Sequence, residues 1–371
     1  MLNIGKLLQR EGIVHLVCIR GGMPTQEEYE ATKAVFGDFD CFVTENYGSR
    51  KIVSKVRRYV DLRWVQGRAK SISDRSQEQI SKLSEDYDIV WIHTLAIADM
   101  LGRYSWQGHS VLDVDDLCSH IHKQEIWTER GIRNKSRAMW RMLMQARWEN
   151  DILNRFEAVC VCSDRDRITF KSDDRVFVLS NGFKAPSEEP VRHLNGFARI
   201  GFIGTLWYPP NVEGLNWFIE EILPQVINKN PAVRLRVVGK LRDSVKFVRH
   251  PNVDYLDFID DPTDEMATWS LSVVPLRIGG GTRIKILDSF SKMCPVVSTS
   301  LGAYGLNVNN GRHLLVADKA GDFAGACIKL FEQPKFASGL AKEGLTLLKE
   351  KYTWDSFRPV VKNVIEKCMS G

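Results

Sequence analysis

Apolar residues fall along this chain in short, near-continuous runs separated by longer amphipathic stretches. In the first half the runs are Val14–Cys18, Cys41–Thr44, Ile89–Ile92, Ser110–Val114, Ala158–Cys162 and Val176–Leu179. In the second half they are Ile200–Phe202, Arg234–Val238, Val253–Asp257, Leu271–Pro275, Val296–Ser298 and Leu314–Val316. Runs rich in Val and Ile, without strict alternation, predict parallel strands buried on both faces. The stretches between them have helix length, so the pattern predicts an α/β protein of two doubly wound parallel sheets. Regularity breaks over Gly182–Phe197, where Pro186, Glu188, Glu189 and Pro190 interrupt both periods. The break divides the chain into 1–185 and 186–350, with 351–371 left for a terminal helix. The start is irregular, because Asn3–Arg10 reads as a helix ahead of Val14–Cys18. A doubly wound domain opens on a strand and a glycine turn. Two readings stay open: the first domain lacks its first strand, or Val14–Arg20 with Gly21 and Gly22 supplies both.

Length and composition agree with this division. A chain of 371 residues exceeds one ordinary core, and 44% apolar with 26% charged residues is usual for a folded protein. No run of 18 apolar residues predicts a spanning helix, and the charged segment Met1–Arg20 reads as no secretory signal. Eight cysteines without a C-x-x-C pair favour neither zinc nor disulfides, so the expected compartment is the cytoplasm. The net charge of +5 is unevenly spread: nine basic residues against two acidic between Arg50 and Arg75, and six against none between Arg130 and Arg147. With Tyr59, Trp64, Met139 and Trp140 interleaved, these stretches fit two readings. One is a pair of solvated helix faces; the other is a surface meeting anionic lipid at the inner face of a membrane. No nucleic-acid motif accompanies the charge, so no nucleic-acid partner is expected.

The segment richest in chemistry is Pro275–Asp288. A buried run leads into Gly279, Gly280 and Gly281 and then into a helix expected near Thr282. Glycines let a ligand approach the backbone, and the N–H groups of a helix start favour an anion. Thr282 offers a hydroxyl, Arg283 and Lys285 offer charge for a diphosphate, and Asp288 offers a carboxylate for sugar hydroxyls. The plain alternative is a tight turn with solvated bases. Gly204 and Thr205 end another run, ahead of a helix that Asn211 is expected to cap, and Lys240 follows the run ending at Val238. In the first half Asp113, Asp115 and Asp116 stand at the end of a run. Asp113 and Asp115 form a D-x-D that fits a divalent metal, a substrate hydroxyl or a helix cap. His93, at another run's end, reads as a structural hydrogen-bonder. No P-loop, G-x-G-x-x-G or Ser/His/Asp arrangement follows any candidate strand.

Taken in order, several pieces resemble the donor domain of GT-B glycosyltransferases of the group 1 (GT4-like) family. They are Gly201–Thr205 with Pro210 and Asn211, Val237–Lys240, Pro275–Asp288, Cys294–Thr299 with Gly302, Gly311–Asp318 and Tyr352–Trp354. Tyr87–His93, Val111–Asp116, Arg130–Glu149, Phe156–Asp166 and Ser180–Gly182 resemble, more loosely, the acceptor domain of bacterial polysaccharide-type members. The resemblance implies two facing Rossmann-like domains and a final helix crossing back to the first. It implies a nucleotide-diphosphate sugar donor, held by Gly204, Thr205, Lys240, Gly279–Arg283, Lys285 and Asp288. It further implies retaining transfer to a saccharide or lipid-linked acceptor in surface polysaccharide or glycoconjugate synthesis. Asp115 and Asp116 are then the candidate catalytic residues, with no cofactor and no obligatory metal. The sequence departs from the family where the two-glutamate motif falls on Gly280 and Asp288, and where the first-domain histidine is replaced by Asp115. The alternative is an inactive relative that binds sugar nucleotide or a partner enzyme.

Overall fold

A computed structural model describes residues 2–46, 70–101, 109–115, 117–128, 131–170, 173–194, 196, 198–240, 247–279 and 283–370. They form two units, Met1–Leu179 with Phe357–Gly371, and Ser180–Ser356. Gly280–Thr282, Asp116 and most of the basic stretch Arg50–Arg75, including Arg57–Arg68, lie outside the described residues.

In the first unit α1 (Leu2–Leu8) leads to β1 (Val17–Arg20), α2 (Gln26–Phe36), β2 (Asp40–Val43) and the antiparallel pair β3 (Glu45–Asn46) and β4 (Lys70–Ser71). Then follow α3 (Asp74–Ser84), β5 (Ile89–His93), α4 (Leu95–Leu101) and β6 (His109–Val114). The unit continues with α5 (Cys118–Thr128), α6 (Ile132–Leu153), β7 (Ala158–Val161), α7 (Asp164–Ile168) and β8 (Val176–Val178). Local chemistry starts several helices. Thr25 and Glu28 form a reciprocal capping box for α2, and the Ser73 and Ser163 hydroxyls cap α3 and α7. Strands β5-β6-β7-β8 make a parallel sheet, and β1 and β2 make a separate parallel pair. The last helix, Arg358–Met369, packs Val361, Val364 and Cys368 onto this unit, against β6, β7 and β8.

The second unit runs β9 (Arg199–Ile203), α8 (Pro209–Trp217), a π-helical turn (Phe218–Ile222), α9 (Leu223–Lys229), β10 (Arg234–Val238) and β11 (Val253–Leu256). It continues through α10 (Thr263–Ala267), β12 (Leu271–Val274), α11 (Ile284–Ser291), β13 (Val296–Ser298), β14 (Leu315–Val316), α12 (Ala320–Glu332) and α13 (Pro334–Lys351). Its sheet is parallel throughout, in the order β11-β10-β9-β12-β13-β14. Phe202, Phe218, Leu235, Val273 and Phe323 are buried in its main core. Gly201 is required where it stands, since a Cβ there would lie 1.8 Å from the Trp269 indole. The predicted break after Gly182 is folded onto this unit. Phe183 N–H donates to Tyr352 O at 2.7 Å, and the Arg192 guanidinium donates to the carbonyls of Met266, Trp269 and Lys292.

Candidate functional site

The second sheet changes direction between β9 and β12, and an open parallel sheet has its ligand crevice beyond the strand ends at such a point. Here the strands also part. β9 pairs with β12 only at Ile200–Leu271 and Gly201–Ser272, whereas it stays paired with β10 from Arg199 through Ile203. The Lys285 side chain reaches this place from the first turn of α11. Its Nζ lies 4.6 Å from the Phe202 ring centroid and donates to Asn211 Oδ1 at 2.7 Å. Gly204 leaves the room: a Cβ there would fall 2.2 Å from Lys285 Nζ and 3.0 Å from Asn211 Nδ2. Gly239, at φ +152°, lets the Gly204 carbonyl pass where a side chain would stand.

The Lys285 residue is half-buried, but its ammonium sits deep in the protein. That loss of hydration, with the charge of Arg283 added, lowers its pKa to about 7. Arg283 is buried, donates through Nε to Leu301 O at 3.3 Å, and places a guanidinium nitrogen 3.3 Å from where a Gly279 Cβ would be. Gly279 has φ +123°, a conformation that L side chains rarely adopt. Two basic side chains thus converge beside Gly279, and the Lys285 ammonium donates to a neutral amide.

Other predicted residues sit around this pair. Thr205 is exposed, and its carbonyl accepts from Asn211 Nδ2 at 2.8 Å. Lys240 is exposed at the end of β10. Asp288 is held by Lys292 Nζ at 2.6 Å, one turn along α11. The expected helix starts at Ile284, with Arg283 at its cap position and no side-chain cap. One expectation is corrected. Asn211 does not cap α8; Tyr208 stands there, and Asn211 lies inside the first turn bridging Thr205 and Lys285. Sequence reasoning missed this bridge because a cap and a first-turn ligand differ by only three positions.

The first unit assembles a second cluster at the ends of β5 and β6. Register places His93 beside Asp113, and His93 Nδ1 lies 2.9 Å from Asp113 Oδ2. His93 Nε2 lies 3.3 Å from Asp115 Oδ2. Burial disfavours charge on His93, but hydrogen bonds and charge from the two aspartates outweigh it and raise the pKa to about 9. Burial raises Asp113 above the usual carboxylate value, with His93 opposing. Burial also pushes Asp115 up, yet His93 prevails and lowers it. His93 is thus held between Asp113 and Asp115, with Asp115 the more exposed acceptor. His93 is therefore more than a lone structural hydrogen-bonder. Its signal was the matched ends of two neighbouring runs. Both D-x-D carboxylates turn to His93, and among the described residues no group of three or more such side chains is arranged to hold a metal.

Residues 198–333 match the family model described as Glycosyl transferases group 1. An uncharacterized 44.6 kDa protein in the cps region of Klebsiella pneumoniae is 24% identical over 298 residues, covering 76% of this chain and 75% of the relative. Among solved structures, Anabaena Alr3699/HepE in complex with UDP and glucose superposes with a TM-score of 0.65 at 14% identity, covering 98% of this chain and 94% of that one. TarM of S. aureus superposes at 0.60 and 13% identity over 78% of this chain, which spans 57% of TarM's length. These superpositions identify the fold as GT-B.

Proposed function

We propose, from the match of residues 198–333 to the family model described as Glycosyl transferases group 1, that this enzyme moves a sugar from a nucleotide-diphosphate donor to a saccharide or lipid-linked acceptor, with retention at the anomeric carbon. The observation that carries the reading is Lys285, a buried ammonium beside Arg283 and near Gly279 at the switch point of the sheet. A diphosphate fits the charge and hydrogen-bonding capacity of these two basic side chains. As the bond from anomeric carbon to phosphate oxygen breaks, the electron pair leaves with the diphosphate, and its charge grows. Lys285 and Arg283 then stabilise the transition state more than the ground state, as catalysis requires. Asp115, steadied by His93, would accept a hydrogen bond from a sugar hydroxyl. Because the cations already present can neutralise the leaving group, the reaction is proposed to need no obligatory metal.

HepE was crystallised with UDP and glucose, which makes a uridine donor the first to try, and the relative in a cps region supports a place in surface polysaccharide synthesis. The lipid-linked form of the acceptor is supported by α6. Among the described residues no helix is long and apolar enough to cross a membrane. Helix α6, however, exposes Ile132, Met139, Trp140 and Leu143 along one stripe, beside exposed Arg133, Lys135 and Arg147. Such a helix lies on anionic lipid rather than through it. The donor assignment is tested by calorimetry with UDP. Lys285→Ala should weaken binding by about tenfold or more, the weight of one charge-assisted contact. Equal affinity in both proteins sinks the diphosphate site. Binding without turnover of any sugar nucleotide would leave a binding protein in place of an enzyme.

A further inference from the structure

The first unit joins several histidines to carboxylates, and their place on the strands separates them. His15 pairs with Asp40 and His109 with Glu157, all at the amino ends of β1, β2, β6 and β7. Ligands of an open parallel sheet lie beyond the opposite, carboxyl ends. Two histidines stand there on carboxylates. His93 has both ring nitrogens taken, Nδ1 by Asp113 and Nε2 by Asp115. The other is His120, which meets Asp166.

Sheet register brings this second pair next to Asp115. Val114 of β6 pairs with Val161 of β7, so Asp115 and Cys162 leave the sheet side by side. The chain after β6 enters α5, whose third residue is His120, and the chain after β7 enters α7, which holds Asp166. Asp166 is buried, and its Oδ2 accepts from the Ser163 hydroxyl at 2.6 Å and from Cys162 Sγ at 3.4 Å. Its Oδ1 lies 3.1 Å from His120 Nδ1. Burial pushes this carboxyl up, but the hydrogen bonds from His120, Ser163 and Cys162 outweigh it and hold the group below its ordinary value. An ionised carboxylate accepts Nδ1–H, which leaves the lone pair of a neutral ring on Nε2. The His120 side chain keeps 23% of its surface, against 7% for Asp166, and its Nε2 has no partner among the described residues. Packing alone asks for less, because the Ser163 hydroxyl accepts Asp166 N–H and starts α7 without the ring. An imidazole fixed from behind by a buried carboxylate, with its far nitrogen open, is the arrangement of a general base.

We propose that His120 is the catalytic base toward the acceptor, taking the proton of the hydroxyl that attacks the anomeric carbon. The inference rests on the reading of this protein as a sugar transferase. The acceptor oxygen forms its bond to the anomeric carbon, and its proton passes to His120 Nε2. The bond from that carbon to the phosphate oxygen breaks, and its electron pair leaves with the diphosphate. Asp166, already ionised, offsets the charge that the ring gains. His93 is unsuited to this step, because neither of its nitrogens is left open.

The test follows nucleoside-diphosphate release from a set of UDP- and GDP-sugars, with water and bacterial membrane lipid as acceptors. His120→Gln keeps a donor toward Asp166 but takes no proton, and should turn over about a hundredfold more slowly. His120→Ala vacates the place of the ring, and imidazole added to the buffer should restore its rate by about tenfold or more. Both variants should keep the affinity of the unaltered protein for the nucleoside diphosphate, unlike Lys285→Ala. Undiminished turnover in His120→Gln overturns the proposal. So does a His120→Ala protein that melts like the unaltered one yet stays slow with imidazole present, since the pair would then serve packing. An unaltered protein that turns over none of these sugars removes the enzyme reading and the base with it. An active one equalled by His120→Gln removes the base alone.

Discussion

At the scale of single residues, Lys285 decides most. Its ordinary pKa near 10.5 falls to about 7 because burial and Arg283 both penalise the ammonium. The folded protein therefore binds fewer protons than the unfolded chain between those two values. The sign follows: this lysine costs stability below pH 7, and the cost disappears as pH rises toward 10.5. A bound diphosphate restores the ammonium, so UDP binding takes up a proton above pH 7. Affinity should be greatest below about pH 7 and fall by about tenfold per unit above it, until the bound lysine titrates. Calorimetry in buffers of different ionisation enthalpy checks the proton uptake, and a pH-independent affinity excludes the mechanism. Lys285→Met should raise the melting temperature at pH 6 while weakening UDP binding. A residue kept only for packing would not show this exchange of stability for function.

Helix α6 sets the question at the scale of elements. One side buries Ala138, Gln145, Trp148 and Ile152, and the other exposes the apolar stripe with its basic margin. The two sides obey different rules. Truncating the buried side removes packing, whereas replacing an exposed leucine leaves the fold within about 0.5 kcal/mol. Leu143→Glu is thus expected to keep the melting temperature and to reduce sedimentation with vesicles containing phosphatidylglycerol by severalfold. Both proteins should be released by salt and bind neutral vesicles weakly, because the attraction is partly electrostatic. Unchanged sedimentation of the variant would assign α6 to solvent alone. The Lys292–Asp288 pair on α11 also belongs to this scale. A carboxylate one turn from its lysine is half committed before any ligand arrives.

At the scale of the whole molecule, two units with separate cores are expected to unfold in two steps. UDP should move only the step of the unit carrying Lys285. At a hundredfold excess over Kd the gain is about 2.7 kcal/mol, or roughly 5–10 °C for a unit of this size. A single transition moving as one in calorimetric scans would show instead that the units melt together. The amino-acid order by itself determined the twelve apolar runs, each recovered as a strand within about three residues, and the placing of Gly279 close before Arg283 and Lys285. These are local properties, written into a few adjacent residues by periodicity and by what glycine permits. Strand order, the parting of β9 from β12, the reach of Asn211 to Lys285 and the closure of His93 on Asp113 and Asp115 were decided only in the tertiary structure. Each depends on residues 20 to 74 positions apart meeting across a sheet. No periodicity within a run records which neighbour it will meet, because that choice is made by the packing of the entire unit.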